Sequence, residues 1–346
     1  MLNDAGRARR PVVSVLGGSG FLGSAIIQAL APHRVHIRAA SRRPTTVTLP
    51  AAQTAATLTP LSADLTDRKA LARAIHAADA VIVAVARIAG QQTWRVSDDD
   101  SDSARVNQGI ATTVAEMCAE GQFTGSPPIV LFAGSTSQAG HHPGPLTGAE
   151  PDHPVTAYDR QKLAAERALL EATRAGHCRA ASLRLPTVFG PAAATSCQDK
   201  GIVSAMARRA LAGQALTLWN DGSVVRDLLY VTDAAAAFVA ALAAADRLSG
   251  RAWVVGSGQR VQLRELFAAI ADDVAALSGG HRVEVRQVPP PPYASPLDLR
   301  SVQLDPAAFT AATGWSARVG WRDAVRRTVA ALVSQQHHRQ PIGGAA

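Results

Sequence analysis

A glycine-rich segment, GGSGFLG, between a short apolar run and a helical pattern constrains the fold of this chain most. Residues 11–16 read PVVSVL, a β-branched run that predicts a buried strand, and SAIIQALA after the glycines predicts a helix. Such a strand-turn-helix brings backbone N–H groups and the positive end of a helix dipole together. Gly17 permits the tight turn, Gly20 the approach of a pyrophosphate and Gly23 close helix packing, so the motif predicts a bound dinucleotide.

Apolar strand patterns and helical patterns continue to alternate over the next 160 or so residues, a typical run of βαβ units. We predict further strands at residues 35–40, 61–65, 80–86, 128–133 and 179–185, and helices at 68–78, 104–119 and 157–172. Parallel strands joined by crossover helices form a doubly wound sheet. The fold class is therefore α/β, with a doubly wound parallel Rossmann sheet.

The alternation breaks after Pro186, where loops lengthen and helices become isolated. This change predicts a smaller, mostly helical, substrate-binding C-terminal domain, and residues 251–256 are expected to return to the main sheet. We predict a flexible arm at residues 1–10, a dinucleotide-binding domain at 11–185 with returns near 225–258, the second domain at 186–224 and 259–332, and a flexible tail at 333–346. The acidic stretch at residues 97–103 is expected to be a solvated loop.

Composition excludes several classes of protein. The chain has 346 residues, of which 47% are hydrophobic and 18% charged, so a large core is expected. Its three cysteines share no close spacing and predict neither a disulfide scaffold nor a zinc or other metal site. The formal charge of +8 comes from scattered arginines, which predicts no nucleic acid partner. Without a leader pattern or a membrane-length apolar run, a cytoplasmic protein is expected.

Residues after the second and third predicted strands bear on the choice of dinucleotide. Ser41, Arg42 and Arg43 occupy the place where an acidic side chain would accept from the 2′-hydroxyl of NAD. Two arginines attract a 2′-phosphate instead, so the sequence favours NADP(H) over NAD, although a pair of solvated loop arginines is the alternative. Asp64 is placed to contact the adenine.

Tyr158 and Lys162 carry the catalytic prediction. Their spacing of four residues places both side chains on one face of a predicted helix. An ammonium group beside a tyrosine stabilises the phenolate, so we expect a lowered tyrosine pKa and a role for Tyr158 as general acid toward a ketone. Ser135, after the fifth strand, is expected to donate to the same carbonyl oxygen, and Thr136 and Ser137 compete for that role.

These motifs resemble those of the extended short-chain dehydrogenases/reductases, the nucleotide-sugar epimerase, dehydratase and reductase superfamily. The resemblance spans residues 11–332 and includes GGSGFLG, the DLTD turn, Asn107, the Tyr158–Lys162 pair and RLPTVFGP. It implies that Arg226 pairs with a substrate diphosphate, with a domain-interface salt bridge as the alternative, that Asp227 orders its loop and that Asp233 starts the following helix. Implied cofactor contacts are Gly17, Ser19, Gly20, Phe21, Leu22, Ser41, Arg42, Arg43, Asp64, Leu65, Ala84, Val85, Ala86, Asn107, Tyr158, Lys162, Pro186 and Val188. Implied substrate contacts are Ser135, Thr136, Trp219 and Arg226.

More narrowly, TWRVSDDDSDSARVN and RRALAGQALTLWNDGSVVRDLLYV resemble bacterial 4-ketoreductases of antibiotic deoxysugar biosynthesis. The resemblance implies NADPH-dependent reduction of the C4 ketone of a dTDP-4-keto-6-deoxyhexose, with a lean toward an L-sugar, by a homodimer. The alternatives are a nucleotide-sugar 4-epimerase with tightly bound NAD and a non-catalytic dinucleotide-binding regulator. Ala139 replaces a tyrosine that many relatives carry, which argues against the epimerase. Thr136 and Ser137 replace the Asp-Glu pair of a dehydratase, which argues against dehydration.

Overall fold

A seven-stranded parallel sheet forms the centre of the molecule. The computed structural model describes residues 9–50, 54–87, 96–123, 125–193, 197–292, 294 and 298–339, so most of the expected arm and the end of the expected tail lie outside the described residues. The strands are β1 (Val12–Leu16), β2 (His36–Ser41), β3 (Thr57–Ser62), β4 (Ala80–Val83), β5 (Ile129–Ser135), β6 (Arg179–Leu185), β7 (Thr187–Phe189), β8 (Leu216–Trp219), β9 (Val225–Arg226), β10 (Leu228–Tyr230), β11 (Ala252–Val254), β12 (Val261–Gln262) and β13 (Val285–Val288). The order β11-β6-β5-β4-β1-β2-β3 confirms the doubly wound Rossmann sheet and the return of β11 to it.

Helices cover both faces of this sheet. They are α1 (Phe21–Leu30), α2 (Arg68–Ile75), α3 (Ser101–Ala104), α4 (Ile110–Ala119), α5 (Ala157–Arg174), α6 (Ile202–Leu211), α7 (Val231–Ala243), α8 (Ala245–Leu248), α9 (Leu263–Ser278), α10 (Ala307–Thr313) and α11 (Trp321–Arg339). Successive strand residues point to opposite faces. Val13 and Val15 therefore pack toward α1 and α7, whereas Leu16 packs toward α2, α4 and α5.

A second apolar core lies between α6, α9 and α11, under the short parallel pair β8 and β13. It is not fully separate from the first unit. Phe309, on α10, packs edge-to-face between Trp253 of the main sheet and Trp315, with ring centroids 6.4 and 5.5 Å apart. The segment between β13 and α11, two elements of the second core, is thus anchored to the Rossmann sheet. Among the described residues, no helix combines the length and apolar character needed to cross a bilayer.

Several predicted boundaries are wrong. The third strand is Thr57–Ser62 rather than residues 61–65, because it is an exposed edge strand that tolerates Pro60 and carries polar side chains. The fourth strand ends at Val83, before the predicted 86. The acidic stretch is not all loop: Asp100 caps α3 by accepting from Ser103 N–H, and the chain passes through a wide helical turn, Arg105–Gly109, into α4. Helix α11 continues to Arg339, into the expected tail.

Candidate active site

A cavity of about 1010 Å³ opens between the carboxyl ends of the central strands and the second core. Parallel sheets place binding sites at this edge. Of the 18 residues predicted to contact the cofactor, 17 line the cavity, and Asn107 does not. Those on the wall are Gly17, Ser19, Gly20, Phe21, Leu22, Ser41, Arg42, Arg43, Asp64, Leu65, Ala84, Val85, Ala86, Pro186 and Val188, together with Tyr158, Lys162, Ser135, Trp219 and Arg226.

The glycine turn has the close backbone packing that a dinucleotide site requires. Gly17 has φ +93°, and a Cβ atom there would lie 2.9 Å from the carbonyl oxygen of Ala84. A Cβ atom at Gly23 would lie 2.2 Å from the carbonyl oxygen of Gly17. Gly20 caps α1 without a side-chain hydrogen bond, which leaves backbone N–H groups at the helix start for a ligand. The turn therefore fits the pyrophosphate of a nicotinamide dinucleotide.

We expect Gly23→Ala to weaken dinucleotide binding and lower stability together. The added methyl group cannot fit against Gly17, so α1 must move away from the turn, at about 1–3 kcal/mol for such overpacking. Isothermal titration with NADPH and thermal unfolding measure the two effects. Gly320→Ala is the control for the added methyl group alone, since φ at Gly320, as at Gly23, lies outside the positive range and its Cβ atom would meet no atom within 4 Å. Unchanged cofactor affinity in Gly23→Ala would show that the turn is not the dinucleotide site.

Strand β2 ends at Ser41, and Arg42 and Arg43 follow it on the cavity wall. Ser41 Oγ donates to the carbonyl oxygen of Arg43 at 2.6 Å, which fixes the turn, and both arginine side chains are exposed. Asp64 lies on the same wall and accepts from the N–H and hydroxyl groups of Thr66 at 3.0 and 2.8 Å. These two hydrogen bonds lower the pKa of Asp64. This end of the cavity presents positive charge and one carboxylate.

Tyr158 and Lys162 are brought together on the inner wall. Both are buried near the start of α5, and Lys162 Nζ lies 5.9 Å from the centre of the Tyr158 ring. Lys162 Nζ donates to the carbonyl oxygens of Ala133 at 2.9 Å and Val85 at 3.4 Å, at the ends of β5 and β4. The predicted pair therefore shares one site, and backbone carbonyls hold the lysine there.

The expected lowering of the tyrosine pKa is wrong for this structure. Burial raises the pKa of Tyr158, and the neighbouring carboxylate of Asp159 raises it further. Burial also lowers the pKa of Lys162 to about 8, which weakens its charge effect on the phenol. The spacing of these two groups can be read from the sequence, but their burial cannot. Tyr158 is consequently a protonated donor near neutral pH.

Ser135 is the last residue of β5 and faces the cavity. Its N–H donates to Gln138 Oε1 at 2.7 Å, and Gln138 in turn donates to the buried carboxylate of Glu166 at 3.0 Å. Ser135 Oγ lies 2.7 Å from Ser137 Oγ, whose hydroxyl donates to Asp159 Oδ1 at 2.5 Å. Sequence reasoning missed Asp159, although Thr156 and Asp159 form a recognisable capping box at the start of α5.

Two predicted contacts do not line the cavity. Asn107 is buried behind it, where its side chain accepts from Arg87 N–H at 2.7 Å and donates to Gln161 Oε1 at 2.9 Å. Its side-chain hydrogen bonds thus hold the segment that follows β4 in place. Thr136 is buried in the turn after β5 and is not among the residues that line the cavity, whereas Ser135 is.

Arg226 lies on the cavity wall and braces a loop of the second unit. Its guanidinium donates to the carbonyl oxygens of Asp298, at 2.7 Å, and Arg300. Burial lowers its pKa. This side chain thus joins β9 to the segment at residues 298–300.

The two aspartates near Arg226 have structural roles. Asp227 orders its loop by accepting from the N–H groups of Ser257 and Gly258 at 2.9 and 2.8 Å. Asp233, in the first turn of α7, accepts from the N–H groups of Arg318 and Val319 at 3.1 and 2.9 Å. Sequence reasoning missed further cavity residues on this side, because they lie on loops or near a helix end without a pattern: Lys200, Arg209 and Asp298.

The described residues hold no cluster of three or more His, Cys, Asp or Glu side chains suited to a metal ion.

A family model, described as the NAD dependent epimerase/dehydratase family, matches residues 13–256. The chain belongs to this family. Its members use a nicotinamide dinucleotide, and the family match covers the glycine turn, Tyr158 and Lys162.

Two proteins of known activity and one solved structure match most of the chain. A dTDP-6-deoxy-L-talose 4-dehydrogenase (NAD(P)(+)) of Kitasatospora kifunensis is 28% identical over 324 residues, which cover 91% of this chain and 93% of the relative. A UDP-glucose 4-epimerase of Mycolicibacterium smegmatis is 28% identical over 236 residues, 68% of this chain and 71% of the relative. The structure of MoeE5 in complex with UDP-glucose and NAD has the same fold, with a TM-score of 0.76 and 23% identity over 95% of this chain and 99% of MoeE5.

Proposed function

We propose that this protein reduces the C4 ketone of a dTDP-4-keto-6-deoxyhexose, in the L-series, with NADPH. The observation that carries the proposal is the placement of Tyr158, Lys162 and Ser135 on one cavity wall next to the glycine turn. The dTDP-6-deoxy-L-talose 4-dehydrogenase that matches 91% of the chain supports C4 of a dTDP-linked 6-deoxy-L-sugar as the reacting position.

The nicotinamide dinucleotide supplies the hydride when bound. Tyr158 carries a phenolic proton, since burial raises its pKa, and donates it to the carbonyl oxygen as that oxygen gains negative charge. Lys162, anchored on Ala133 and Val85, places positive charge beside the phenol and stabilises the phenolate that remains. Ser135 donates a second hydrogen bond to the same oxygen when its hydroxyl group turns away from Ser137 Oγ, which lies 2.7 Å from Ser135 Oγ.

Residues on and beside the second core orient the substrate. Arg226 and Trp219 lie on the cavity wall away from the glycine turn, together with Lys200 and Arg209. Arginine and lysine side chains suit a diphosphate, and a tryptophan ring suits a base. Binding energy gained at this distant nucleotide positions the keto group against Tyr158.

Replacing Arg42 and Arg43 with alanine is expected to raise the KM for NADPH about 10-fold or more, because two charge-assisted hydrogen bonds to the 2′-phosphate are lost. The KM for NADH should not change, since NADH lacks that phosphate, and it serves as the internal control. Steady-state kinetics with both cofactors measure the ratio. Equal KM values for NADPH and NADH in the wild type would contradict the proposed preference for NADP(H).

A direct assay tests the proposed reaction. Mixing the protein with NADPH and dTDP-4-keto-6-deoxyglucose, with and without its epimerised forms, should consume NADPH in proportion to the keto-sugar, read as loss of absorbance. UDP-glucose serves as the control and should consume none. Absence of NADPH oxidation with every keto-sugar would overturn the proposal.

A nucleotide-sugar 4-epimerase is the second candidate, favoured by the match to a UDP-glucose 4-epimerase over 68% of the chain. An epimerase oxidises and reduces the same carbon and retains its cofactor. Purified protein that carries bound NAD⁺ and interconverts UDP-glucose and its C4 epimer would favour this candidate. A non-catalytic regulator would bind a dinucleotide but no nucleotide sugar.

Helices α4 and α5 pack side by side, and a homodimer through them stays a prediction.

A further inference from the structure

Ser135 ends a row of three oxygen atoms that reaches from the cavity wall into the protein. Ser135 Oγ lies 2.7 Å from Ser137 Oγ, and Ser137 Oγ lies 2.5 Å from Asp159 Oδ1. Both distances are those of O–H···O hydrogen bonds. Asp159 is only 1% exposed, so water does not compete for its carboxylate. The state of Asp159 therefore bears directly on the hydroxyl group of Ser135.

The position of Asp159 sets the direction of the two hydrogen bonds. Asp159 is the third residue of α5, where the helix dipole favours a carboxylate, and its Oδ2 accepts from Thr156 N–H at 3.0 Å. A carboxylate can only accept hydrogen bonds, so Ser137 donates its hydroxyl proton to Asp159. Ser137 Oγ then has only lone pairs left, and Ser135 must donate to it. In this arrangement the hydroxyl proton of Ser135 points away from the cavity.

We propose that Ser137 and Asp159 are positioning residues that make Ser135 a hydrogen-bond acceptor toward the cavity, so that the resting site favours the C4 alcohol over the C4 ketone. This inference rests on the proposed function. An alcohol can donate its O–H to Ser135 while it accepts from Tyr158. A ketone has no hydroxyl proton to donate. Ser135 can donate to the ketone oxygen only by breaking its own hydrogen bond to Ser137.

The energetic consequence is a difference in affinity between the two sugars. Loss of one hydrogen bond of ordinary net strength weakens binding about fivefold. The resting protein should bind the alcohol more tightly than the ketone by about that factor. For the same reason, the product alcohol should leave the site more slowly than it would if Ser135 donated a hydrogen bond to the ligand.

Asp159→Asn tests the direction of the row. The asparagine has nearly the same shape: its oxygen can accept from Thr156 N–H while its amide group donates to Ser137. Ser137 then donates to Ser135, and Ser135 turns its proton to the cavity. We expect the ratio of ketone affinity to alcohol affinity to rise about tenfold or more. Isothermal titration measures it in two unreactive mixtures, the ketone with NADP⁺ and the alcohol with NADPH.

Two further variants separate positioning from structural damage. Ser137→Ala removes the acceptor for Ser135, so ketone binding should tighten severalfold while alcohol binding stays unchanged. Thr156→Ala is the matched control, because it removes the oxygen that accepts from Asp159 N–H at 3.1 Å and leaves the row intact. It should lower the melting temperature without changing the affinity ratio.

An unchanged affinity ratio in Asp159→Asn, with normal wild-type turnover, would overturn this inference and leave the proposed function standing. A ratio that changes equally in Thr156→Ala would also overturn it, because the effect would then come from the start of α5. Failure of the proposed function looks different: the wild type would neither bind nor reduce the keto-sugar, and both proposals would fall.

Discussion

Tyr158→Phe is expected to lower kcat for the keto-sugar by about 10²–10⁴, the usual range for loss of a general acid. The substitution removes only the hydroxyl group, and the ring keeps its packing against Val96 and Ala157. Substrate and cofactor affinities should therefore stay within a few-fold of wild type. Single-turnover absorbance at saturating NADPH and sugar measures the chemical step separately from binding.

Tyr230→Phe is the matched control for this experiment. Tyr230 is also buried, packs edge-to-face on Phe189 at 6.0 Å, and is not among the residues that line the cavity. The same loss of a hydroxyl group there should leave kcat near the wild-type value. Turnover of Tyr158→Phe close to wild type, with the fold intact by circular dichroism, would refute the role of Tyr158 as the acid.

Lys162→Met is expected to lower kcat about 10²–10³-fold, as for loss of one group that stabilises developing charge in a buried site. Methionine retains much of the contact that Lys162 makes over Phe132, where Nζ lies 4.7 Å from the ring centre. Lys69→Met, at an exposed position on α2, is the control for loss of one positive charge and should have wild-type kcat.

The pH dependence of the wild type gives a second test of Lys162. Burial lowers its pKa to about 8, so the ammonium form is present below that pH and is lost above it. Burial raises the pKa of Tyr158, so the phenol remains protonated over the same range. The kcat for reduction should therefore fall as pH rises through about 8, and Lys162→Met should lack this step. A flat wild-type profile up to pH 10 would contradict the role of the ammonium group.

Central strands were predictable because their signal is local. The run at residues 179–185 matches β6 without error, and the glycine turn lies where its flanking patterns put it. Strand β3 was misplaced because an edge strand has little apolar pattern to detect. Helix α11 was missed although Val325, Val329 and Val333 form a stripe at four-residue spacing, since charged residues between them obscure it.

The candidate site was likewise predictable only where its signal in the sequence is local. Tyr158 and Lys162 are neighbours on one helix, so their spacing predicted their meeting. Ser137 and Asp159 lie 22 residues apart in the chain and meet only because β5 ends where α5 begins. No local pattern carries that contact. Burial, which reverses the expected shift in the pKa of Tyr158, depends in turn on every element that closes the cavity.

The origin of the hydrogen at C4 tests the central claim most directly. The protein would be incubated with the dTDP-4-keto-6-deoxyhexose and NADPH deuterated at the transferable position of the nicotinamide, and the product sugar analysed by mass spectrometry and NMR. We predict one deuterium at C4 and one NADPH oxidised for each sugar reduced. Recovery of the unreduced keto-sugar with NADPH unconsumed, or a C4 alcohol that carries no deuterium, would contradict the account.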